Sequence, residues 1–107
     1  GIEAIVAAMR SNCRTGGVSQ VCVNGCWALT NITSDNATNR ARVSETGGFE
    51  AIVAGMRTHL GVAQAQWSGC LALTICTHGD EVNRERMCEA GGIDAVVAGG
   101  SAHKTGS

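Results

Sequence analysis

Residues 25–30 read Gly-Cys-Trp-Ala-Leu-Thr, and residues 69–74, 44 positions later, read Gly-Cys-Leu-Ala-Leu-Thr. At the same offset, residues 18–56 align with residues 62–100, and eighteen of the 39 aligned positions are identical. Residues 1–10 match residues 48–57 at eight of ten positions, but there the offset is 47. We assign the three extra residues to a predicted loop at residues 11–17. A repeat of 44 to 47 residues predicts an architecture of stacked, similar units.

Each copy of the repeat is predicted to form three helices. The first spans about residues 37–45; Asp35 or Asn36 is its predicted N-cap, and a Gly-Gly pair suits its C-terminal end. The second helix spans about residues 49–57 and is almost wholly apolar. The third spans about residues 62–77, and its counterpart in the preceding copy spans 18–33, where apolar residues recur with helical spacing. We expect the two third helices to lie side by side, because equivalent residues of neighbouring units meet in stacked repeats. The glycines inside them are expected to permit close helix approach.

Two segments of the repeat resemble the armadillo family. Residues 25–32, with a tryptophan and an asparagine four residues apart, resemble the third-helix signature of that family. The Glu-x-Gly-Gly segments at residues 45–48 and 89–92 resemble the junction between its first and second helices. The resemblance covers about residues 1–100 and implies a right-handed, all-α solenoid of about two and a half three-helix repeats. The divisions are a partial repeat at 1–33, a repeat at 34–77, a partial repeat at 78–100 and a tail at 101–107.

The resemblance also implies a binding surface, because third helices line a peptide-binding concave groove in the importin-alpha and beta-catenin families. There Trp27 would offer a flat apolar surface, and the Asn31 amide would bond a peptide backbone. Helical spacing independently places a stripe on each third helix, apart from the core face, and the stripe of the second copy lacks both the tryptophan and the asparagine. The candidate partner-binding residues are Gln20, Asn24, Trp27, Asn31, Gln64, Ser68, Leu71 and Ile75. Packing of Trp27 between repeats, and burial of the groove by another subunit, are the alternatives.

Composition argues against several other functions. Eight basic and nine acidic residues give a net charge of −1, whereas nucleic-acid surfaces carry a basic excess. The arginines of the two first helices are expected to be solvated or paired with Glu45, Glu85 or Glu89. No apolar run approaches the roughly 18 residues of a membrane span.

Cysteines and histidines also lack the spacing of a chemical site. The six cysteines are expected to be reduced and mostly buried as small hydrophobic residues, in an intracellular, cytoplasmic protein. Neither they nor His59, His78 and His103 have the spacing of a zinc site. Cys76 and His78 are close in sequence, but a thiol nucleophile also needs an electropositive, open setting. We therefore expect no catalytic residue, metal or cofactor.

The sequence favours a non-catalytic interaction or scaffold module, which binds proteins through the concave third-helix face and the exposed ends of the solenoid. One alternative is a fixed structural subunit of a larger complex, and another is a transport-receptor-like peptide binder. The apolar helices at residues 2–10 and 93–98 each lack a neighbouring helix of the repeat. We therefore expect both ends to be covered by a longer chain or by other subunits.

Overall fold

The computed structural model describes residues 1–102, which form seven α-helices and no strand. The helices are α1 (Ile2–Arg14), α2 (Ser19–Thr33), α3 (Ala37–Glu45), α4 (Gly48–Thr58), α5 (Ala63–Thr77), α6 (Glu81–Glu89) and α7 (Gly92–Ala102). The predicted all-α class is confirmed for this part of the chain. Within it, every helix is too short or too polar to cross a membrane.

Helix boundaries follow the predictions closely except at two places. Helix α1 continues to Arg14, so most of the loop predicted at residues 11–17 is helical. No glycine or proline interrupts residues 11–14, and the extra residues lengthen α1 to 13 residues against 11 in α4. Helix α7 continues to Ala102, two residues into the stretch assigned as a tail, and residues 103–107 lie outside the described part.

The two first helices of the repeat, α3 and α6, have equivalent N-caps. The Asn36 side chain accepts a hydrogen bond from the backbone N–H of Asn39 at 3.0 Å, and Asp80 accepts one from Asn83 at 3.0 Å. The cap is therefore Asn36, and Asp35 instead adopts a left-handed backbone with φ 57°. Gly79, its counterpart in the next copy, has φ 65°. The turn before each first helix requires this conformation, which glycine adopts at the lowest cost.

We expect Gly79→Ala to lower the free energy of unfolding by about 1 kcal/mol, because alanine is strained at a positive φ. A Cβ at Gly79 would meet no atom within 4 Å, so the backbone alone accounts for the loss. Gly61→Ala is the matched control, since Gly61 has equally open surroundings and no positive φ. Urea denaturation of both variants measures the difference. Equal stabilities would contradict the assignment of strain to Gly79.

Helices that correspond in the repeat pack against one another. Helix α1 contacts α4, α4 contacts α7, α2 contacts α5, and α3 contacts α6. The C-terminal ends of α2 and α5 lie together, because Thr33 Oγ1 and Cys76 Sγ are 3.5 Å apart. Helices α2 and α5 are therefore parallel and nearly in register, and the predicted side-by-side arrangement of the two third helices is confirmed.

The glycine shared by the two third helices permits a close contact with the helix that precedes each of them. A Cβ on Gly25 would lie 2.5 Å from Met9 Sδ, and a Cβ on Gly69 would lie 2.6 Å from Met56 Sδ. Both methionines are buried. The same methionine–glycine contact therefore occurs in both copies, which confirms that these glycines allow close helix approach.

An asparagine shared by the two first helices makes the same hydrogen bond in each copy. Asn39 Nδ2 donates to the Ile32 carbonyl at 3.1 Å, and Asn83 Nδ2 donates to the Cys76 carbonyl at 2.9 Å. Asn83 Nδ2 also donates to the Arg40 carbonyl at 2.7 Å. Each amide thus satisfies a carbonyl near the end of the preceding third helix, and Asn83 also connects α6 to α3.

Ion pairs on the surface differ from those expected. Arg42 pairs with Glu3 of α1, and Arg84 pairs with Glu81 at 2.8 Å within α6. The pairs expected with Glu45, Glu85 or Glu89 are not found among residues 1–102. Helix α1 packs against α3, and this tertiary contact brings Glu3 to Arg42.

The two ends of the molecule are unlike. Ile2, Val6 and Met9 of α1 are buried, although this helix lacks its neighbour in the repeat. Helix α1 turns these side chains toward α2 and α4, and its outward positions are largely alanine, glutamate and arginine. At the other end, Ile93 and Val97 of α7 are 53% and 62% exposed. An uncovered aliphatic face therefore exists at the C-terminal end of the described chain.

Candidate functional site

Two tryptophans from neighbouring third helices meet at the surface. The ring centroids of Trp27 in α2 and Trp67 in α5 lie 5.3 Å apart, with an interplanar angle of 57°. This tilted arrangement is favourable for aromatic pairs. Trp27 is half-buried and Trp67 is 60% exposed. The pair therefore joins α2 and α5 into one surface that carries a large accessible aromatic area.

Polar side chains of α2 flank the tryptophan pair. Gln20, Asn24 and Asn31 are all exposed, as the predicted stripe requires. Gln20 Nε2 donates to Asn24 Oδ1 at 2.9 Å, so these two amides satisfy each other in part. Among the described residues, the Asn31 side chain has no hydrogen-bond partner. Its donor and acceptor therefore remain free for a bound molecule.

The predicted stripe on α5 is only partly at the surface. Gln64 is exposed, and Leu71 and Ile75 are half-buried. Ser68 is fully buried; it lies beside the Cys26 thiol of α2, where the two third helices pack together. Ser68 therefore lies beneath the surface, and its small side chain serves the contact between α2 and α5.

Trp67 takes the surface position on α5 that the sequence analysis gave to Ser68. Alignment of the two copies places Trp67 opposite Val23, a buried residue, so the repeat by itself did not mark it. The stripe on α5 was copied from the spacing on α2, and that spacing selects Ser68. Residues 64, 67 and 71 are nevertheless each about one helical turn apart. This alternative spacing would have placed Trp67 on the stripe.

The resulting surface is uncharged. We call it the tryptophan surface and define it by eight residues of α2 and α5. These are Gln20, Asn24, Trp27, Asn31, Gln64, Trp67, Leu71 and Ile75. Aromatic and aliphatic groups offer apolar contact, and the side-chain amides offer hydrogen bonds to both donors and acceptors. Such a surface suits a neutral polypeptide better than a strongly charged one.

Three of the six cysteines lie in the packed interior of the described structure. All six are free thiols, and Cys22, Cys26 and Cys76 are buried between the helices. The hydrogen bond with Cys22, together with burial, raises the pKa of Cys26, and burial raises the pKa of Cys76. Raised values keep these two thiols protonated, whereas a nucleophilic or metal-binding cysteine needs the thiolate.

Two of the three histidines lie at the C-terminal ends of helices. His59 is the half-buried C-cap of α4, His78 is the exposed C-cap of α5, and His103 lies outside the described residues. Within residues 1–102, no three His, Cys, Asp or Glu side chains are grouped as metal ligands.

The described residues define an all-α chain with an internal repeat and an exposed aromatic surface shared by two equivalent helices. Comparison of the chain with protein-family models, curated proteins and solved structures gives no match.

Proposed function

We propose that this protein is a non-catalytic protein-interaction module, built as part of a right-handed α-solenoid of armadillo-type repeats. Its partner binds across the tryptophan surface and at the exposed C-terminal end. The observation that carries the proposal is the tryptophan pair, because it spans two repeat-equivalent helices while Trp67 remains 60% exposed. Tryptophan is among the residues that contribute most to binding when a partner covers them.

The contacts between equivalent helices support the repeat architecture. The same methionine–glycine contact, N-cap and asparagine hydrogen bond occur once in each copy. In an armadillo-type arrangement, α2 and α5 would be adjacent third helices of the concave face. Trp27, Trp67 and Asn31 would then lie along the path of an extended partner chain.

The chemistry of the tryptophan surface suits an extended, neutral segment of a partner protein. Aliphatic side chains of the partner would pack beside the indole rings, and Asn31 would bond its backbone. No residue of this surface carries a negative charge, so a lysine-rich signal has no counter-charge there. This favours a general interaction module over a transport receptor for basic peptides. The buried free thiols suit a reducing, intracellular and cytoplasmic location.

Single substitutions on the tryptophan surface test the proposal. Two sets of synthetic ten-residue peptides are compared: one is aliphatic and neutral, and the other is lysine-rich. Each peptide is titrated into the protein while the tryptophan fluorescence of the protein is followed. We expect the neutral peptides to bind, and Trp67→Ala to weaken binding at least tenfold, which corresponds to about 1.4 kcal/mol. Asn31→Ala should weaken binding less, because it removes one amide.

Glu45→Ala, an exposed change on α3, is the control and should bind as the unchanged protein does. Equal affinities of the Trp67→Ala and Glu45→Ala variants would contradict binding at the tryptophan surface. Preference for the lysine-rich peptides would contradict the neutral partner.

A fixed structural subunit of a larger complex is the second candidate. The aliphatic face of α7 favours it, since Ile93 and Val97 are more than half exposed. Exposed faces of this kind mark interaction surfaces. Affinity purification followed by exchange against unlabelled protein separates the two functions. A fixed subunit keeps a constant stoichiometry and does not exchange with the unlabelled protein. An interaction module exchanges with it.

A further inference from the structure

A groove of about 390 Å³ lies between α1 and the C-terminal end of α3. All of its lining residues belong to α1 except Thr46, the C-cap of α3. Its polar residues are Glu3, Arg10, Ser11, Arg14 and Thr46, and the rest of its wall is apolar. We call it the arginine groove. None of its residues belongs to the tryptophan surface.

The arginine groove carries an excess of positive charge. The Glu3 carboxylate pairs with Arg42 of α3, a residue outside the groove. Among residues 1–102, neither Arg10 nor Arg14 forms an ion pair. These two arginines are four residues apart, so they lie one turn apart on one face of α1, where like charges repel. Two guanidinium groups are therefore available to an anion.

Packing holds the Arg10 guanidinium at the groove. Its Nη2 lies 3.0 Å from the place of a Cβ on Gly47, which has φ 80°. Arg57 occupies the same position in the next copy, with Nη2 2.8 Å from the place of a Cβ on Gly91. The arginine–glycine contact is thus a repeated feature of the fold. It orders the first guanidinium before any ligand binds, which lowers the cost of binding.

The second arginine of the groove occurs only in the first copy. Helix α1 has 13 residues and α4 has 11, and Arg14 lies in the part of α1 that α4 lacks. Thr46 likewise has Ala90 as its counterpart. The extra residues of the first copy therefore bring Arg14 to the groove.

The equivalent groove of the second copy has the opposite charge. It lies between α4 and α6 and contains Glu50, Glu85 and Glu89, with Arg86 as its basic residue. Glu50 is the counterpart of Glu3 in the repeat. A site for an anion is therefore expected in the first copy and not in the second.

We propose that the arginine groove binds the phosphate group of a phosphoserine or phosphothreonine in a partner protein. Such a group carries about −1.5 to −2 charges at pH 7, which two guanidinium groups balance. Each planar guanidinium can donate two parallel hydrogen bonds to phosphate oxygens, and the Ser11 hydroxyl can donate another. Arginine clusters are a common means of recognising phosphorylated segments. The site goes beyond the proposed function, because it adds a second requirement on the partner.

A single phosphate group fits the arginine groove better than a nucleic acid does. Duplex DNA carries one charge about every 1.7 Å along its axis, and its affinity for a protein grows with the number of phosphates contacted. The groove offers two unpaired arginines, and the chain as a whole has a net charge of −1. A protein segment with one phosphorylated residue is therefore the occupant that matches the charge of the groove.

A short peptide of glycine and serine with one central phosphoserine is the probe, and the same peptide without phosphate is its control. Each is titrated into the 107-residue protein while the side-chain N–H signals of the arginines are followed by NMR. We expect saturable changes at Arg10 and Arg14 with the phosphorylated peptide alone. Lowering the pH to about 5 should weaken binding, because the second pKa of the phosphate is about 6.

Protein variants locate the binding. Arg14→Gln should weaken it at least tenfold, and the fold is retained because Arg14 is exposed. Arg57→Gln is the matched control, since Arg57 makes the same glycine contact in the second copy, and it should leave the affinity unchanged. Trp67→Ala should also leave it unchanged. The arginine groove and the tryptophan surface are thus tested separately, and either proposal can fail without the other.

Four results would overturn the proposal. The first is equal affinity for the two peptides, and the second is unchanged affinity in the Arg14→Gln protein. The third is binding of inorganic phosphate as tight as that of the phosphopeptide, which would assign the groove to a free anion. The fourth is tighter, Arg14-dependent binding of phosphatidate vesicles or of a short DNA duplex, which would assign it to a membrane or a nucleic acid.

Discussion

Phe49→Ala is expected to lower the free energy of unfolding by about 3–5 kcal/mol, the range typical of a fully buried phenylalanine. Phe49 is 1% exposed and lies in the core formed by α4 and its neighbours. The matched control is Ile93→Ala, at the equivalent position of the next copy. Ile93 is 53% exposed, so its truncation should cost less than about 1 kcal/mol.

Urea denaturation followed by tryptophan fluorescence measures both changes. Because a domain is typically stable by only about 5–15 kcal/mol, the Phe49→Ala protein can lie close to unfolding. Ile52→Val, a milder change at another buried residue of α4, keeps the comparison measurable, with an expected loss of about 0.5–1.5 kcal/mol. Similar losses for Phe49→Ala and Ile93→Ala would show that α7 is covered as fully as α4.

Asn83→Ala is expected to cost about 2–3 kcal/mol, because the side chain is 1% exposed and donates to two carbonyl groups. A buried acceptor that loses its donor costs about 1–3 kcal/mol. Asn39 is the matched control, since it is half-buried and donates to a single carbonyl. Asn39→Ala should therefore cost about 1 kcal/mol.

Thermal and urea unfolding of the two asparagine variants give the comparison. Asn83→Asp adds a second test, because it keeps the size of the side chain but removes both N–H donors. It should be at least as destabilising as Asn83→Ala. A loss at Asn39 equal to that at Asn83 would contradict a special role for the contact between α6 and α3.

Local features of the fold were predictable because they depend on neighbouring residues in the chain. The period of the repeat, helical spacing and capping residues predicted α2, α3, α4 and α5 to within a residue at each end. The Gly-Gly pairs and the shared glycines of α2 and α5 pointed correctly to helix ends and close packing. Each of these patterns occurs in both copies of the repeat, which strengthened the prediction. The structure shows the corresponding contact in both copies.

Features that depend on how the helices pack against one another were less predictable. Helix α1 was expected to need a covering chain because it lacks its neighbour in the repeat, but its large apolar residues Ile2, Val6 and Met9 are already buried. Ser68 was placed on the binding stripe, but the approach of α2 covers it and leaves Trp67 at the surface. Positions 67 and 68 are adjacent on α5, and a helical stripe is wide enough to include either of them. Spacing along α5 therefore does not determine which of the two lies at the surface.

The sequence alone determined the helical class, the repeat and most helix boundaries, because hydrogen bonds within helices and caps join residues that are close in the chain. Only the tertiary structure decided that Trp27 meets Trp67, that Glu3 pairs with Arg42, and that the uncovered face lies on α7. Each of these is set by contacts between helices that are distant in sequence. Burial depends on which neighbour covers a side chain, and the spacing of residues along a single helix does not specify that neighbour.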